Sequence, residues 1–174
     1  MKMEGGREIL DDIKAIINAG IPVMGHLGYT PQSVNLFGGH KAQGKTSGTA
    51  VKILEDALML QKAGVFSIVF ECVPHKLARL VSSRLDIPVI GIGSGSGCDG
   101  QVLVTPDMIG LFRDFTPRHA KKFADMGSAI EQASRDYIAQ VRDQVFPTPD
   151  NSYKISDEIL EEANEAFGRI SDKI

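Results

Sequence analysis

Short apolar runs alternating with helical stretches constrain this chain more than any other feature. Val65 to Phe70 is nearly continuous apolar sequence, the pattern of a strand covered on both faces. Ile21-Pro22-Val23-Met24-Gly25 recurs two βα units later as Ile87-Pro88-Val89-Ile90-Gly91, each unit taking roughly 30 or more residues. A last strand is expected at Gln101–Val104, and the first is only the stub Met1-Lys2-Met3. Between the strands lie three amphipathic stretches. Arg7 to Asn18 carries Ile9, Leu10, Ile13, Ile16 and Ile17 at helical spacing and closes at Ala19-Gly20. Thr49 to Lys62 closes at Ala63-Gly64, and Pro74 to Arg84 starts on a proline. A longer helical pattern runs from Pro117 to Val145, and a polar amphipathic tail from Ser156 to Ile170 follows the break Pro147-Thr148-Pro149-Asp150. Buried strands alternating with helices dictate an α/β fold with a parallel sheet, doubly wound or closed into a barrel. No strand reads as an edge and no reversal is visible, which favours the barrel.

Composition excludes several classes of function. With 174 residues, a formal net charge of −3 and a pI near 5.8, the chain lacks the basic footprint of a nucleic-acid binder. No apolar run approaches the ~18 residues of a membrane span. The start, Met1-Lys2-Met3-Glu4-Gly5-Gly6-Arg7, has no secretory signal. A soluble, cytoplasmic protein is expected. Cys72 and Cys98 have neither disulfide-scaffold nor zinc-site spacing and read as structural.

Active sites of βα barrels lie at the C-terminal ends of the strands. Three polar residues fall there: Glu4 after the first stub, His26 after Gly25, and Glu71 after Phe70. A carboxylate closing an apolar strand is suited to proton transfer, although a salt-bridged residue at a loop start fits Glu71 equally. A structural histidine and a solvated N-terminal charge likewise fit His26 and Glu4. Gly39-His40-Lys41-Ala42-Gln43-Gly44-Lys45-Thr46 has the spelling of a phosphate-binding P-loop. That loop works only between a buried strand and a helix, and Ser33-Val34-Asn35-Leu36-Phe37 is a poor buried strand. A glycine-rich lid is the alternative. In Gly91-x-Gly93-x-Gly95-x-Gly97, Ser96 breaks the dinucleotide fingerprint; the run reads as tight turns or close approach to a ligand, with Asp99-Gly100 a turn. His40, His75 and His119 lack metal-ligand spacing and read as surface residues.

Gly25-His26-Leu27-Gly28-Tyr29-Thr30-Pro31-Gln32-Ser33, Gly38-Gly39-His40-Lys41-Ala42-Gln43-Gly44, Phe70-Glu71-Cys72-Val73-Pro74 and Pro88-Val89-Ile90-Gly91-Ile92-Gly93-Ser94-Gly95 occur in that order. With the opening Lys2-Met3-Glu4-Gly5-Gly6 and Asp99-Gly100-Gln101-Val102-Leu103-Val104, they resemble the ketopantoate hydroxymethyltransferase family. The resemblance covers residues 1 to about 153. It implies a (β/α)8 barrel of the phosphoenolpyruvate-binding superfamily type, assembled as a homo-oligomer, often a decamer. It implies transfer of a one-carbon unit from methylenetetrahydrofolate to 3-methyl-2-oxobutanoate, giving 2-dehydropantoate for pantothenate synthesis. It also implies a Mg2+ ion chelated by the keto acid and acting as a Lewis acid. By motif, Glu71 is expected to be the general base, Glu4 a metal ligand, Lys2 a contact of the substrate carboxylate and His26 a neighbour of the substrate. The P-loop spelling falls on the family's mobile loop.

The family's two metal-binding aspartates lie on earlier strands without counterparts in this sequence. The chain is therefore expected to supply the barrel from the end of strand 4 through strand 8. Residues 1–153 would form that part and 154–174 a helical C-terminal extension. Little or no turnover is expected from it alone. A non-catalytic interaction module is the alternative, since half a barrel exposes strand edges, and a P-loop nucleotide binder is a third reading.

Overall fold

The computed structural model describes residues 1–37, 39 and 41–171. These fall into two compact units that divide between Asp125 and Met126.

The first unit is built on a five-stranded sheet of β1 (Lys2–Glu4), β2 (Met24–Gly28), β3 (Ser67–Glu71), β4 (Val89–Ile92) and β5 (Gly100–Gln101). All pairings are parallel and the spatial order is the chain order. A doubly wound sheet reverses its strand order at a switch point; none occurs here, which is consistent with a barrel-type α/β family. The helices are α1 (Leu10–Asn18), the single turn α2 (Val34–Phe37), α3 (Ser47–Ala63), α4 (His75–Ser82) and α5 (Thr105–Met108). Thr46 caps α3 through its hydroxyl, which accepts from the Thr49 amide, and Gly64 ends it at φ 97°, a conformation that glycine adopts without a Cβ penalty.

Register assigns the two faces. Met3, Leu27, Ile68, Phe70 and Val89 point one way, into a core with Ile13 of α1, Ile53, Ala57 and Leu60 of α3, and Ala78 and Val81 of α4. Phe70 is fully buried there, a contribution of about 1.5–3 kcal/mol. The other face carries three rows: Lys2, Met24 and Ser67; Glu4, His26, Val69 and Ile90; Gly28, Glu71 and Ile92. In a parallel sheet, paired positions share a face, so the chemistry-bearing side chains converge opposite the helices.

Several elements differ from the sequence expectation. The second strand is Met24–Gly28 and not Ile21–Gly25. Gly25 is no terminator: a Cβ there would lie 3.0 Å from Leu60 Cδ1, so its glycine serves sheet-to-helix packing. His26 accordingly sits inside the strand. The last strand is Gly100–Gln101, and Val104 is the extended N-cap of α5, whose first turn carries Pro106, a place where proline's missing N–H costs nothing. Asp99 is more than a turn residue: its Oδ2 accepts from Ser82 Oγ (3.0 Å) and Val89 N (2.8 Å), fixing the start of β4.

The second unit contains α6 (Met126–Arg142), a 3-10 turn Pro149–Asn151 and α7 (Asp157–Ser171). The long helical pattern expected from Pro117 is confined to α6. The Phe123 amide is bonded to Met108 O across the preceding irregular segment. Tyr137 and Phe146 meet edge-on at 5.7 Å. No described helix is long and apolar enough to cross a membrane.

Candidate active site

Glu4 from the end of β1, His26 from the middle of β2 and Glu71 from the end of β3 meet on the sheet face opposite the helices. His26 is 2% exposed and lies between the two carboxylates. Its Nδ1 is 2.8 Å from Lys2 Nζ and 3.7 Å from Glu4 Oε1, and its Nε2 is 3.3 Å from Glu71 Oε2. Lys2 Nζ in turn lies 3.6 Å from Glu4 Oε1. An ammonium only donates, so Nδ1 accepts from Lys2 and the neutral ring carries its proton on Nε2, facing Glu71. The contact with Glu71 lacks hydrogen-bond geometry. Among the described residues, His26 Nε2 and Ser67 Oγ are the buried side-chain polar atoms without a hydrogen-bond partner, and both belong to this face. A buried donor left unpaired costs roughly 1–3 kcal/mol, a cost that an oxygen of a bound molecule removes.

The setting of Glu71 is over-determined. It ends β3, and Cys72 follows at φ 53°, a left-handed conformation uncommon outside glycine. Four contacts hold this turn. Tyr29 N donates to Glu71 O (2.8 Å), Cys72 N to Ile92 O (2.9 Å), Gln43 N to Cys72 O (3.1 Å) and Val73 N to Ser94 Oγ (3.2 Å). The fully buried Ser94 hydroxyl donates onward to Phe70 O (2.8 Å). Gly28, at φ 95°, passes so close to Glu71 that a Cβ would lie 2.2 Å from its carbonyl oxygen. Burial, followed by the charges of Glu71, Cys72 and Glu4, raises the Tyr29 phenol above its usual value. Burial and then Glu71 raise the Cys72 thiol. Both groups are therefore neutral near pH 7.

The sequence-derived site residues Lys2, Glu4, His26 and Glu71 are thus brought together. Glu4 is further held by the Gln32 amide, which donates to Oε2 (3.0 Å). Magnesium requires six oxygens in near-octahedral geometry. Beside the Lys2 ammonium the site offers one carboxylate, Glu4, with Glu71 on the far side of His26, and no group of three His, Cys, Asp or Glu suited to a metal occurs among the described residues. The donor set present does not by itself fit the ion.

Other motifs resolve differently. The P-loop spelling is followed by α3, but Pro31–Ser33 and Val34–Phe37 ahead of it are helical where that motif needs a strand. Within the spelling, Gln43 reaches the Cys72 carbonyl; His40 lies outside the described residues. The glycine run makes room for this chain's own side chains: a Cβ at Gly95 would lie 2.4 Å from His75 Cβ, and one at Gly93 3.0 Å from His119 Cβ. His75 and His119 are exposed. Cys98 packs against the core, whereas Cys72 adjoins Glu71. Ser94 carried no separable signal inside a glycine run. Asp56 did, because it lies on the same helical stripe as Ile53, Ala57 and Leu60 and is 1% exposed.

The sequence model of the ketopantoate hydroxymethyltransferase family matches residues 1–149. A 3-methyl-2-oxobutanoate hydroxymethyltransferase of Acetivibrio thermocellus is 62% identical over 162 residues, covering 93% of this chain and 57% of that protein. Proteins of the same name from Enterococcus faecalis and Clostridium novyi are 52% and 50% identical, each match covering 92% of this chain and 58% of the relative. The chain therefore spans somewhat less than three fifths of the length of the curated relatives it matches. Its motifs, its sheet and this similarity agree: the chain belongs to the ketopantoate hydroxymethyltransferase family.

Proposed function

We propose that residues 1–153 contribute the part of a (β/α)8 barrel from the end of strand 4 through strand 8, with 154–174 a helical extension. The family match over 1–149 and the unreversed sheet order support that reading. The complete barrel, a homo-oligomer, transfers a hydroxymethyl group from methylenetetrahydrofolate to 3-methyl-2-oxobutanoate, giving 2-dehydropantoate for pantothenate synthesis. The observation that carries the proposal is the Lys2–His26–Glu71 line, with a buried, unpaired N–H beside a strand-ending carboxylate.

The roles are those the family resemblance implies, and the geometry is compatible with them. Glu71 takes the proton from the carbon next to the keto group, and the C–H electrons pass into the enolate. General-base catalysis of this kind contributes about 10²–10⁴-fold. His26 donates from Nε2 to a substrate oxygen, which relieves the orphaned N–H. Lys2 pairs with the substrate carboxylate. The enolate carbon bonds to the methylene carbon of the folate and that carbon's two bonds to nitrogen break; one water supplies the hydroxyl and one of the two protons the freed nitrogens need, and the proton held by Glu71 supplies the other. Were a magnesium ion bound, Glu4 would be one of its ligands, the remaining oxygens coming from substrate, water or further carboxylates, and the ion would stabilise the developing enolate.

The test is a folate-dependent turnover assay of the chain alone and of the complemented enzyme, meaning the chain supplied with the remaining portion of a relative. Turnover is expected from the complemented enzyme and little or none from the chain alone. Full activity of the chain alone would overturn the need for the remaining strands. No activity in the complemented enzyme would overturn the transferase reading.

A further inference from the structure

We infer that Asp56, a buried carboxylate in the middle of α3, is a positioning residue that holds Glu4 and Lys2 in the site through the glycine pair that follows β1. The proposed reaction has no chemical use for it. Asp56 is nevertheless 1% exposed, and a buried carboxylate persists only when paired and hydrogen-bonded. Its Oδ1 accepts from Arg7 Nε at 2.8 Å and its Oδ2 from Lys52 Nζ. Arg7 also reaches Glu55 Oε2 at 2.6 Å, so one guanidinium is forked between adjacent carboxylates of α3. Lys52 lies 3.8 Å from Glu8 Oε2, and Glu8 Oε1 accepts from the Gly6 amide at 3.0 Å.

Gly6 lies directly on the Asp56 carboxylate: a Cβ there would be 2.4 Å from Asp56 Cγ. The backbone two residues beyond Glu4 is thus seated on Asp56 and tied to it by the next side chain, Arg7. β1 needs such an anchor. It is three residues long and pairs with β2 on one side. Beyond it, the Gly5 amide reaches only the His26 carbonyl, at 3.2 Å. A cavity of about 110 Å³ lined by Gly5, Gly6, Thr30, Gly44, Lys52 and Asp56 lies beside this exit. Packing from the helix side therefore leaves space there, and the ion network supplies the hold.

The inference rests on the proposed function only for the reaction that the positioned groups serve; its first test needs no turnover. Gly5 N reports the exit of β1, and Gln32 N, bonded to Glu4 Oε2, reports the position of the Glu4 carboxylate. Amide hydrogen exchange and amide chemical shifts are measured by NMR on the full chain for wild type, Asp56→Asn, Arg7→Gln and a core control, Val81→Ala. In Asp56→Asn, protection of Gly5 and Gln32 should fall at least tenfold relative to Ile68 and Cys72 in β3 and its turn, and the Gln32 amide shift should move. Arg7→Gln, at a side chain about half exposed whose loss folding tolerates better, should do the same to a lesser degree. Val81→Ala should lower protection throughout unit 1 without singling out these two amides. A uniform loss in Asp56→Asn and Arg7→Gln, or unchanged Gly5 and Gln32, would overturn the inference. In the complemented enzyme, Asp56→Asn should raise KM for 3-methyl-2-oxobutanoate at least tenfold while Val81→Ala leaves it unchanged. An unchanged KM in Asp56→Asn would also overturn it. A wild-type complemented enzyme without turnover would instead count against the transferase reading and leave the exchange test standing.

Discussion

Replacing Gly28 with Ala probes how tightly the scaffold fixes Glu71. Gly28 sits at φ 95°, and a Cβ there would lie 2.2 Å from the Glu71 carbonyl oxygen and 2.7 Å from Val73 Cγ2. Ordinary contact begins near 3.4 Å, so the Glu71 backbone must retreat by about 1 Å. The left-handed conformation costs an alanine roughly 1–2 kcal/mol. Retreat also breaks or stretches the bond from Tyr29 N to Glu71 O, now 2.8 Å, for about another 0.5–1.5 kcal/mol. A total loss of about 1.5–3.5 kcal/mol is expected in urea unfolding followed by circular dichroism. The same retreat moves the proposed base, and a misplacement of about 1 Å reduces rate by roughly 10²-fold. Turnover of the complemented enzyme should fall by that factor. Unchanged stability together with wild-type turnover would refute the claim that Gly28 and Glu71 are in backbone contact.

Further outcomes follow from the same geometry. Lys2→Met removes the donor that fixes the His26 tautomer, so ¹⁵N NMR of the imidazole should change from a single Nε2–H form to a mixture; an unaltered spectrum would contradict the Lys2–His26 bond. Phe70→Ala opens the fully buried centre of the core and should cost about 3–5 kcal/mol in the unfolding of unit 1. Burial raises both thiols above their ordinary value of 9.0, with Glu71 adding to the effect at Cys72 and Asp99 at Cys98. Iodoacetamide labelling should therefore stay slow at pH 8 and reach half its maximal rate only above pH 9. The native state binds these protons more tightly than the unfolded chain, so their stabilising effect is complete below pH 9 and declines as pH rises through the native values. Fast labelling at pH 7 would contradict that environment.

Much of this architecture was legible before the fold was known because its signals are local. The apolar run ending in Glu71 could hardly be anything but a buried strand, and a carboxylate closing such a strand belongs at the reactive end of a βα unit. Gly64 announces the C-terminal end of α3 by backbone chemistry alone, whereas the expected start at Thr49 falls short of the true N-cap, Thr46, whose hydroxyl accepts from the Thr49 amide. His26 was placed one step out of position because Gly25 has two meanings in sequence, terminator or close-packing residue, and only Leu60, far along the chain, decides between them. Ser94 and Asp56 were missed for a related reason. Each works through partners distant in sequence: Ser94 through Phe70 and Val73, Asp56 through Arg7. The glycine run reads in sequence as tight turns or as close approach to a ligand; Gly93 and Gly95 do adopt positive φ, and the bodies close to the run are the chain's own His75, Arg79 and His119.

The central claim is that Glu71 removes the proton next to the keto group of 3-methyl-2-oxobutanoate. That step can be observed without the folate. In deuterated buffer, ¹H NMR follows loss of the methine proton of the keto acid in the presence of the complemented enzyme. The account predicts enzyme-dependent exchange that Glu71→Gln slows by about 10²–10⁴-fold while the fold, read by circular dichroism, is retained. Exchange by a folded Glu71→Gln enzyme at the wild-type rate would contradict it.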